Sequence, residues 1–341
     1  MTRRGRMLLV AAGLAVALLL GGLVMPVPYV ALSPGPVSNT LGDSNGVPLI
    51  VVVGHPTYPS TGRLDLTTVE ETSGLDMGSA LRGWLSSEDA VIPEEAIKPP
   101  GKTDEQLKQE TTQQMLDSQA DATDAAMHQL GVTPTSTRVL VFELTPNSPS
   151  AGKLAPGDRI VSVNGTQVTS GAQLRDLIGA TRPGSTVRVA YSRGGKERTA
   201  QIVTAEIGGR SVIGVLSQEK KTYPFTVRIQ LNSVGGPSAG LMFALGIVDK
   251  LTPDDLTGGK VIAGTGTITA VGEVGPIGGI AQKMLGARQS GATVFLVPPD
   301  NCAEAKQATP SGLTLVKAAT LDEAVKELTG LRGGVTNLPG C

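Results

Sequence analysis

The sequence is short of aromatic residues and carries almost no excess charge, and each shortage excludes a class of function. Aromatic residues make up 3% of the 341 residues, too few for a platform on which nucleic-acid bases stack. Lysine and arginine number 29 against 30 acidic residues, which gives a formal net charge of −1 and indicates no basic surface. We therefore expect no nucleic-acid partner.

Metal-binding and nucleotide-binding motifs are also missing. The chain has two cysteines and two histidines, and it contains neither C-x-x-C nor H-E-x-x-H, so we expect no metal site. The pair Gly259-Lys260 is followed by Val261, where a phosphate-binding P-loop needs serine or threonine. We therefore expect no ATP-driven step and no cofactor.

The N-terminal residues 1–31 differ in composition from the rest of the chain. Three arginines, at positions 3, 4 and 6, precede "MLLVAAGLAVALLLGGLVM", a run of 19 residues without a charge. That length favours a transmembrane helix over a cleaved signal peptide, whose apolar core is usually shorter. Arginines stay on the cytoplasmic side, so the sequence predicts a single-pass anchor with the bulk of the chain outside the bacterial cell membrane.

The two cysteines allow a prediction that depends on this location. In an exported chain, Cys302 and Cys341 are expected to form a disulfide, whereas in a reducing compartment they would be unrelated.

Beyond the anchor, the pattern predicts an α+β multidomain protein. Residues 32–125 combine a Pro/Gly-rich segment, which predicts an extended linker, with short strands and a long helix that Thr103 would cap. Residues 126–204 are rich in strands and predict a compact β module. Residues 205–341 alternate strands with helices and predict a mixed α/β domain.

A candidate nucleophile lies in the last of these regions. In "SVGGPSAGLMFALGIVDKL", the spacing Gly236-x-Ser238-x-Gly240 resembles a nucleophile elbow. His55 and His128 both precede Ser238, which excludes the α/β-hydrolase order of catalytic residues. Both histidines lie in unpromising contexts, a proline-rich turn and a polar helix.

A lysine is the remaining candidate for the general base of Ser238. It must be deprotonated near neutral pH, which burial favours. Lys283 follows the apolar, glycine-rich stretch "VGPIGGIAQ" in the first turns of a predicted helix, where a cation is unfavourable. Spacing alone leaves open a second interpretation, a surface lysine on an amphipathic helix.

Four stretches together resemble the proteolytic domain of Lon-type serine proteases. They are "GGPSAGLMFALGIVDKL", "GTGTI", "GEVGPIGGIAQKMLGARQSGA" and "VFLVPPDN", and the resemblance covers roughly residues 205 to 330. It implies that Ser238 is the nucleophile, Lys283 the general base, and Thr265 a hydrogen-bond partner of that lysine. Gly236 would let the backbone approach a substrate strand. Because Lon-type domains form rings of six, the resemblance also implies a homo-oligomer, a hexameric ring.

The preceding module resembles a PDZ domain, through "SPSAG", "GDRI" and "VNG". Such a domain binds a peptide at a sheet edge beside a helix. The resemblance implies that residues 170–180 form this helix, with Leu174 and Leu177 contacting the peptide. Leu130-Gly131-Val132 is a candidate for the carboxylate-binding loop, or equally a helix C-cap.

Anchor, PDZ domain and Lon-like domain in this order resemble the membrane-anchored, ATPase-lacking Lon-like proteases of the YlbL type. The resemblance implies a serine endopeptidase that cleaves protein or peptide substrates outside the membrane without ATP, with the PDZ domain recruiting them. It also suggests that residues 45–75 pack onto the protease domain. The alternative is a catalytically silent PDZ scaffold at the membrane.

Overall fold

The computed structural model describes residues 3–44, 46–231, 234–335 and 337–341. Its helices are α1 (Arg3–Leu23), α2 (Met77–Leu85), α3 (Asp104–Gln129), α4 (Gly171–Gly179), α5 (Gly240–Leu251), α6 (Ile280–Gln289), α7 (Cys302–Gln307) and α8 (Leu321–Arg332).

The strands are β1 (Tyr29–Asn39), β2 (Asp43–Ser44), β3 (Val47–Pro48), β4 (Ile50–Val53), β5 (Arg63–Thr72), β6 (Ala90–Pro93), β7 (Ser136–Leu144), β8 (Arg159–Val163), β9 (Thr166–Gln167), β10 (Thr186–Arg193), β11 (Lys196–Val203), β12 (Ala205–Ile207), β13 (Arg210–Val212), β14 (Val215–Thr222), β15 (Thr226–Ile229), β16 (Val261–Gly264), β17 (Thr267–Ile268), β18 (Val274–Gly275), β19 (Val294–Val297) and β20 (Thr314–Lys317).

The chain divides into two compact units. The first unit combines the chain up to Gly131 with Phe225–Cys341, and the second consists of Val132–Pro224. The second unit therefore interrupts the sequence of the first.

The first unit is built on a six-stranded mixed sheet, in the order β20-β19-β16-β5-β1-β6. The strands β20, β19, β16 and β5 run parallel, and β1 is antiparallel to both β5 and β6. Strand β19 is buried along its whole length, as expected of a parallel strand covered on both faces. The carboxyl ends of these four parallel strands lie at the same edge of the sheet, where a site can form.

Helices α5 and α6 cover opposite faces of this sheet. Asp65 in β5 accepts a hydrogen bond from Ser290 at the end of α6. Gly264 of β16 faces the opposite side of the sheet, toward α5, because a Cβ on Gly264 would lie 2.7 Å from Met242 Sδ in that helix. Helix α5 is apolar nearly all round and almost wholly buried, as its composition predicts.

The segment predicted as an extended linker contains strand β1, near the middle of this sheet, so that prediction was wrong. The prolines fit because the pairing of β1 with β5 is irregular between Pro34 and Val37. Gly35 lies so close to β5 that a Cβ there would stand 2.4 Å from Thr68 Oγ1. The local composition predicts a loop, but hydrogen bonding to β5 on one side and to β6 on the other makes this segment a strand.

Helix α3 follows the prediction more closely. Thr103 caps it, with the Thr103 side chain accepting from the Gln106 N–H and the Gln106 side chain accepting from the Thr103 N–H. Within the first unit α3 packs against α5 and β17. The stretch before it contains helix α2 and strand β6.

The segment predicted as a membrane anchor forms helix α1. Among the residues that the structure describes, no helix combines the length and the apolar character required for a membrane span. The predicted transmembrane helix is therefore unsupported by the structure.

The second unit has an antiparallel sheet in the order β11-β10-β8-β7-β14, with β9 paired to β8. Three tight hairpin turns of this unit have positive φ at both central residues, at Asn164-Gly165, Gly194-Gly195 and Gly208-Gly209. Helix α4 begins after Ser170, whose side chain accepts from the Gln173 N–H. The unit extends past residue 204, where the sequence analysis ended the β module, because β14 adds an edge strand beside β7.

Candidate active site

Ser238 lies on a tight loop immediately before helix α5, whose N-cap is Ala239. Gly236 has a φ of +83°, a conformation that favours glycine, and it begins the turn that presents the serine. The Ser238 carbonyl accepts hydrogen bonds from the Gly266 N–H at 2.9 Å and from Thr265 Oγ1 at 3.0 Å. These bonds fix the backbone of the candidate nucleophile to the segment that follows β16.

Lys283 lies in the first turn of helix α6, which begins after Gly279 in the left-handed conformation. Its side chain is 3% exposed, and burial lowers the pKa of Lys283 from 10.5 to about 8. Burial has this effect because it disfavours the charged ammonium. At pH 7 a pKa of about 8 leaves roughly one molecule in ten with a neutral amine, which can accept a proton.

Thr265 connects the two residues. Lys283 Nζ donates to Thr265 Oγ1 at 3.3 Å, and Thr265 Oγ1 donates in turn to the Ser238 carbonyl. Thr265 is itself 1% exposed, so this chain of hydrogen bonds is shielded from water. The arrangement holds the amine of Lys283 beside the loop that carries Ser238.

Ser238 and Lys283 both line one cleft of about 750 Å³. Strands β1 and β5 form one wall, and the loop before α5 forms another. The described lining residues are Pro36, Ser38, Thr68, Val69, Glu70, Glu71, Thr111, Leu231, Val234, Gly235, Gly236, Ser238 and Lys283. A buried amine and a hydroxyl in one cleft can carry out acyl transfer.

Neither histidine lines this cleft. His55 contacts Phe225, with ring centroids 4.6 Å apart, and His128 is an exposed residue of α3. Among the described residues, no group of three or more histidine, cysteine, aspartate or glutamate side chains is arranged to hold a metal ion.

The two cysteines are bonded to each other. Cys302 Sγ and Cys341 Sγ lie 2.03 Å apart, which ties the C-terminal residue to the start of α7. Both residues pack against the apolar cluster that contains Lys283's neighbours Ile280 and Met284.

The second unit holds a separate groove of about 400 Å³ between α4 and the edge strand β14. Leu174 and Ile178 of α4 line it. Leu177 does not line the groove but packs against the core of the unit, so Ile178 takes the place predicted for it. Ile178 was not predicted from the sequence, although its spacing of four residues from Leu174 places both on one helix face.

The loop that closes this groove was also missed. Residues 212–215, "VIGV", line one end of the groove and lead into β14, and Gly214 has a φ of +68°. The alternative candidate, Leu130-Gly131-Val132, is the end of α3 instead, where Leu130 is the C-cap. An apolar-Gly-apolar pattern before a strand is the signal that could have identified residues 212–215.

Comparisons with protein families match two separate regions of the chain. Residues 122–204 match the PDZ domain model, and residues 232–330 match the model of the Lon protease (S16) C-terminal proteolytic domain. The chain therefore contains a PDZ domain and a Lon-type proteolytic domain.

Curated relatives match part of the chain at modest identity. Lon protease 1 of Bacillus subtilis (strain 168) is 37% identical over 94 residues, which are 27% of this chain and 12% of the relative. Lon protease of Clostridium beijerinckii is 30% identical over 141 residues, which are 40% of this chain and 17% of the relative. The matches thus span a small part of those relatives' length.

A solved structure is similar to part of the chain. The PDZ domain of an SdrC-like protein from Listeria monocytogenes is 28% identical, with 25% of this chain and 90% of that chain covered and a TM-score of 0.23.

Proposed function

We propose that the protein is a serine endopeptidase that uses a Ser238–Lys283 dyad and needs no ATP. One observation carries the proposal: Ser238 and the buried Lys283 line the same cleft, and Thr265 bridges them by hydrogen bonds. Burial of Lys283 costs free energy of desolvation, which a lysine with only a structural role would avoid by lying on the surface. This cost is consistent with a role for Lys283 as a catalytic base.

Acylation of Ser238 would be the first half of the reaction. The neutral amine of Lys283 takes the proton from Ser238 Oγ as the oxygen attacks the carbonyl carbon of the scissile peptide bond. The tetrahedral intermediate then collapses, the C–N bond breaks, and Lys283 returns the proton to the leaving amine. The product is an ester between Ser238 and the N-terminal part of the substrate.

Deacylation would repeat the proton transfers with water. Lys283 accepts a proton from a water molecule as that oxygen attacks the ester carbonyl, and then returns it to Ser238 Oγ when the ester bond breaks. The negative charge that develops on the carbonyl oxygen in both halves needs donors. Backbone N–H groups at Ser238 and Ala239 are placed before the N-terminus of α5, where the helix dipole also favours an anion.

The groove of the second unit would recruit protein substrates. It lies beside the edge strand β14 and is lined mainly by apolar side chains from α4 and β14. A peptide segment added to this edge would gain main-chain hydrogen bonds and place its side chains against α4.

A location outside the cytoplasmic membrane, with residues 7 to 25 as a single-pass anchor, also belongs to this proposal. Its support is the uncharged run preceded by arginines, together with the Cys302–Cys341 disulfide, which persists in an oxidising compartment. Addition of a protease to intact cells would digest the chain beyond Pro26 if the orientation is as proposed, and would spare it if the orientation is reversed.

The test of the activity compares the full chain with Ser238→Ala in a buffer that contains no nucleotide. The substrates are casein and an internally quenched peptide, and a fluorophosphonate probe reports on the serine directly. We expect the unaltered chain to cleave and to react with the probe, and Ser238→Ala to do neither. Ser311→Ala, at an exposed serine of the same unit, is the control and should keep full activity. An unaltered chain that neither cleaves nor reacts would favour a PDZ scaffold.

A further inference from the structure

We propose that Ser118 of helix α3 is a positioning residue, which orients the peptide bond preceding Ser238 for catalysis. The inference rests on the proposed function. Helix α3 lies outside residues 232–330, the segment that matches the Lon proteolytic domain, so that match assigns no role to Ser118.

Helix α3 holds the loop before α5 at three points. The Gly236 N–H donates to the Thr111 carbonyl at 3.0 Å, and Ser118 Oγ donates to the Pro237 carbonyl at 2.9 Å. Gln119 Nε2 donates to the Leu231 carbonyl at 3.5 Å, a longer and weaker contact.

The helix also approaches this loop closely. A Cβ on Gly235 would lie 3.1 Å from Thr111 Cβ, and a Cβ on Gly240 would lie 3.0 Å from Ser118 Oγ. Both distances are shorter than ordinary van der Waals contact, so the two glycines permit the approach of α3.

The hydrogen bond from Ser118 fixes the peptide unit between Pro237 and Ser238. The Pro237 carbonyl and the Ser238 N–H belong to one planar, trans peptide unit, so they point in opposite directions. Fixing the carbonyl toward α3 therefore directs the Ser238 N–H away from α3. That N–H is one of the two groups that the mechanism uses to stabilise the oxyanion.

The peptide unit that follows Ser238 is fixed separately. Its carbonyl accepts from Thr265 Oγ1 and from the Gly266 N–H, as described above. Ser118 on one side and Thr265 on the other thus fix both peptide planes that flank the Cα of the nucleophile. The other bond to the Pro237 carbonyl, from the Gly240 N–H, is longer at 3.4 Å and would not replace that of Ser118.

The burial of Ser118 agrees with this role. The residue is 4% exposed in the middle of a helix, where a serine hydroxyl commonly bonds to the carbonyl one turn earlier. Thr123 of the same helix does so, since Thr123 Oγ1 donates to the Gln119 carbonyl at 2.8 Å. Ser118 instead donates to a residue 119 positions away in the sequence.

The experiment compares Ser118→Ala with the control Thr123→Ala in the full chain. Each variant loses one hydroxyl from α3, but only Ser118→Ala loses a bond to the loop. We measure kcat and KM for the quenched peptide from pH 6 to 10, the rate of labelling by the fluorophosphonate probe, and the melting temperature.

For Ser118→Ala we expect kcat and the labelling rate to fall about tenfold, which corresponds to the loss of one hydrogen bond to a carbonyl left poorly paired. KM and the pH at half-maximal kcat should stay unchanged, because the bond contacts neither a substrate-binding side chain nor Lys283. Thr123→Ala should match the unaltered chain. Ser118→Thr, which keeps the hydroxyl, should recover most of the kcat.

Three outcomes would overturn the inference. One is an unchanged kcat in Ser118→Ala, and another is a loss shared equally by Thr123→Ala. The third is a loss of kcat that follows the fraction of unfolded chain, which would indicate a purely structural role. If the unaltered chain neither cleaves peptide nor reacts with the probe, the proposed function fails and this inference fails with it.

Discussion

The two concave sites of the molecule differ in what they bury. The cleft of the first unit contains Lys283, a buried amine whose pKa is lowered to about 8. The groove of the second unit is lined by apolar side chains, glycines and hydroxyls, and its two arginines, Arg175 and Arg210, are exposed. Burying a cation costs stability, whereas an apolar groove costs little. This difference is consistent with the proposal that the first site carries out chemistry and the second binds substrate.

The largest effect should come from removing the base of the first site. Lys283→Arg should abolish hydrolysis and probe labelling, because a guanidinium stays protonated and cannot take the proton of Ser238. Binding of a protein substrate to the groove of the second unit should persist. Hydrolysis rates for the quenched peptide, with binding measured by fluorescence anisotropy, check both points. Near-full activity in Lys283→Arg would contradict the proposal that Lys283 is the base of the first site.

Lys283→Met tests how much the burial of this lysine lowers the free energy of unfolding. The folded pKa of about 8 lies below the unfolded value of 10.5, so the unfolded chain binds the proton more tightly. The penalty is fully present below pH 8 and disappears as the pH rises toward 10.5. At pH 7 the methionine variant should be inactive but more stable, by about 3 kcal/mol at most. Denaturant unfolding measures this difference, and a less stable variant would contradict the account.

Thr265 should have a smaller effect. Thr265→Val removes the hydroxyl that bonds both Lys283 Nζ and the Ser238 carbonyl, while it keeps the shape of the side chain. We expect kcat for the quenched peptide to fall about tenfold or more, because two hydrogen bonds are lost at a buried position. Thr309→Val is the control, since its hydroxyl bonds only within its own segment. Equal activity in the two variants would show that Thr265 has no role in catalysis.

The groove should affect protein substrates alone. Leu216 lines the groove and is 48% exposed, so Leu216→Asp can be tolerated by the fold. Cleavage of casein should fall several-fold, because a charge in an apolar groove disfavours peptide binding, while cleavage of the short peptide stays unchanged. Val203→Asp, at a residue 52% exposed outside the groove, is the matched control. A loss for both substrates would indicate that the two sites are not separate in function.

The disulfide should have the smallest effect on activity. Its two cysteines are 39 positions apart, and in the chain-entropy model a loop of this size contributes about 4 kcal/mol to stability. Cys302→Ser with Cys341→Ser should lower the melting temperature of the first unit and leave kcat at 25 °C nearly unchanged. Calorimetry with and without a reductant checks this. A reduced chain with an unaltered melting temperature would contradict the prediction.

The parts of the fold that the sequence predicted are those set by neighbours in the chain. Thr103, predicted to cap a long helix, forms a capping box with Gln106, three residues further along the chain. The motifs around Ser238 and Lys283 were also visible, because each lies within one short stretch.

The parts that the sequence did not predict depend on contacts between distant residues. Strand β1 resembles a linker in composition, and only its pairing with β5 and β6 makes it a strand of the central sheet. The bond from Ser118 to the Pro237 carbonyl joins residues 119 positions apart, and no local pattern marks either partner. Ile178 could have been inferred from helix periodicity, because it lies four residues after Leu174 on the same face of α4.

The pH dependence of kcat/KM for the quenched peptide tests the central claim most directly. If neutral Lys283 is the base, kcat/KM should rise with pH as one ionisation, with a midpoint near the Lys283 pKa of about 8, and stay high above it. The variants His55→Ala and His128→Ala should give the same curve. A midpoint at about 6.5, as expected for histidine, that disappears in either histidine variant would contradict the Ser238–Lys283 assignment.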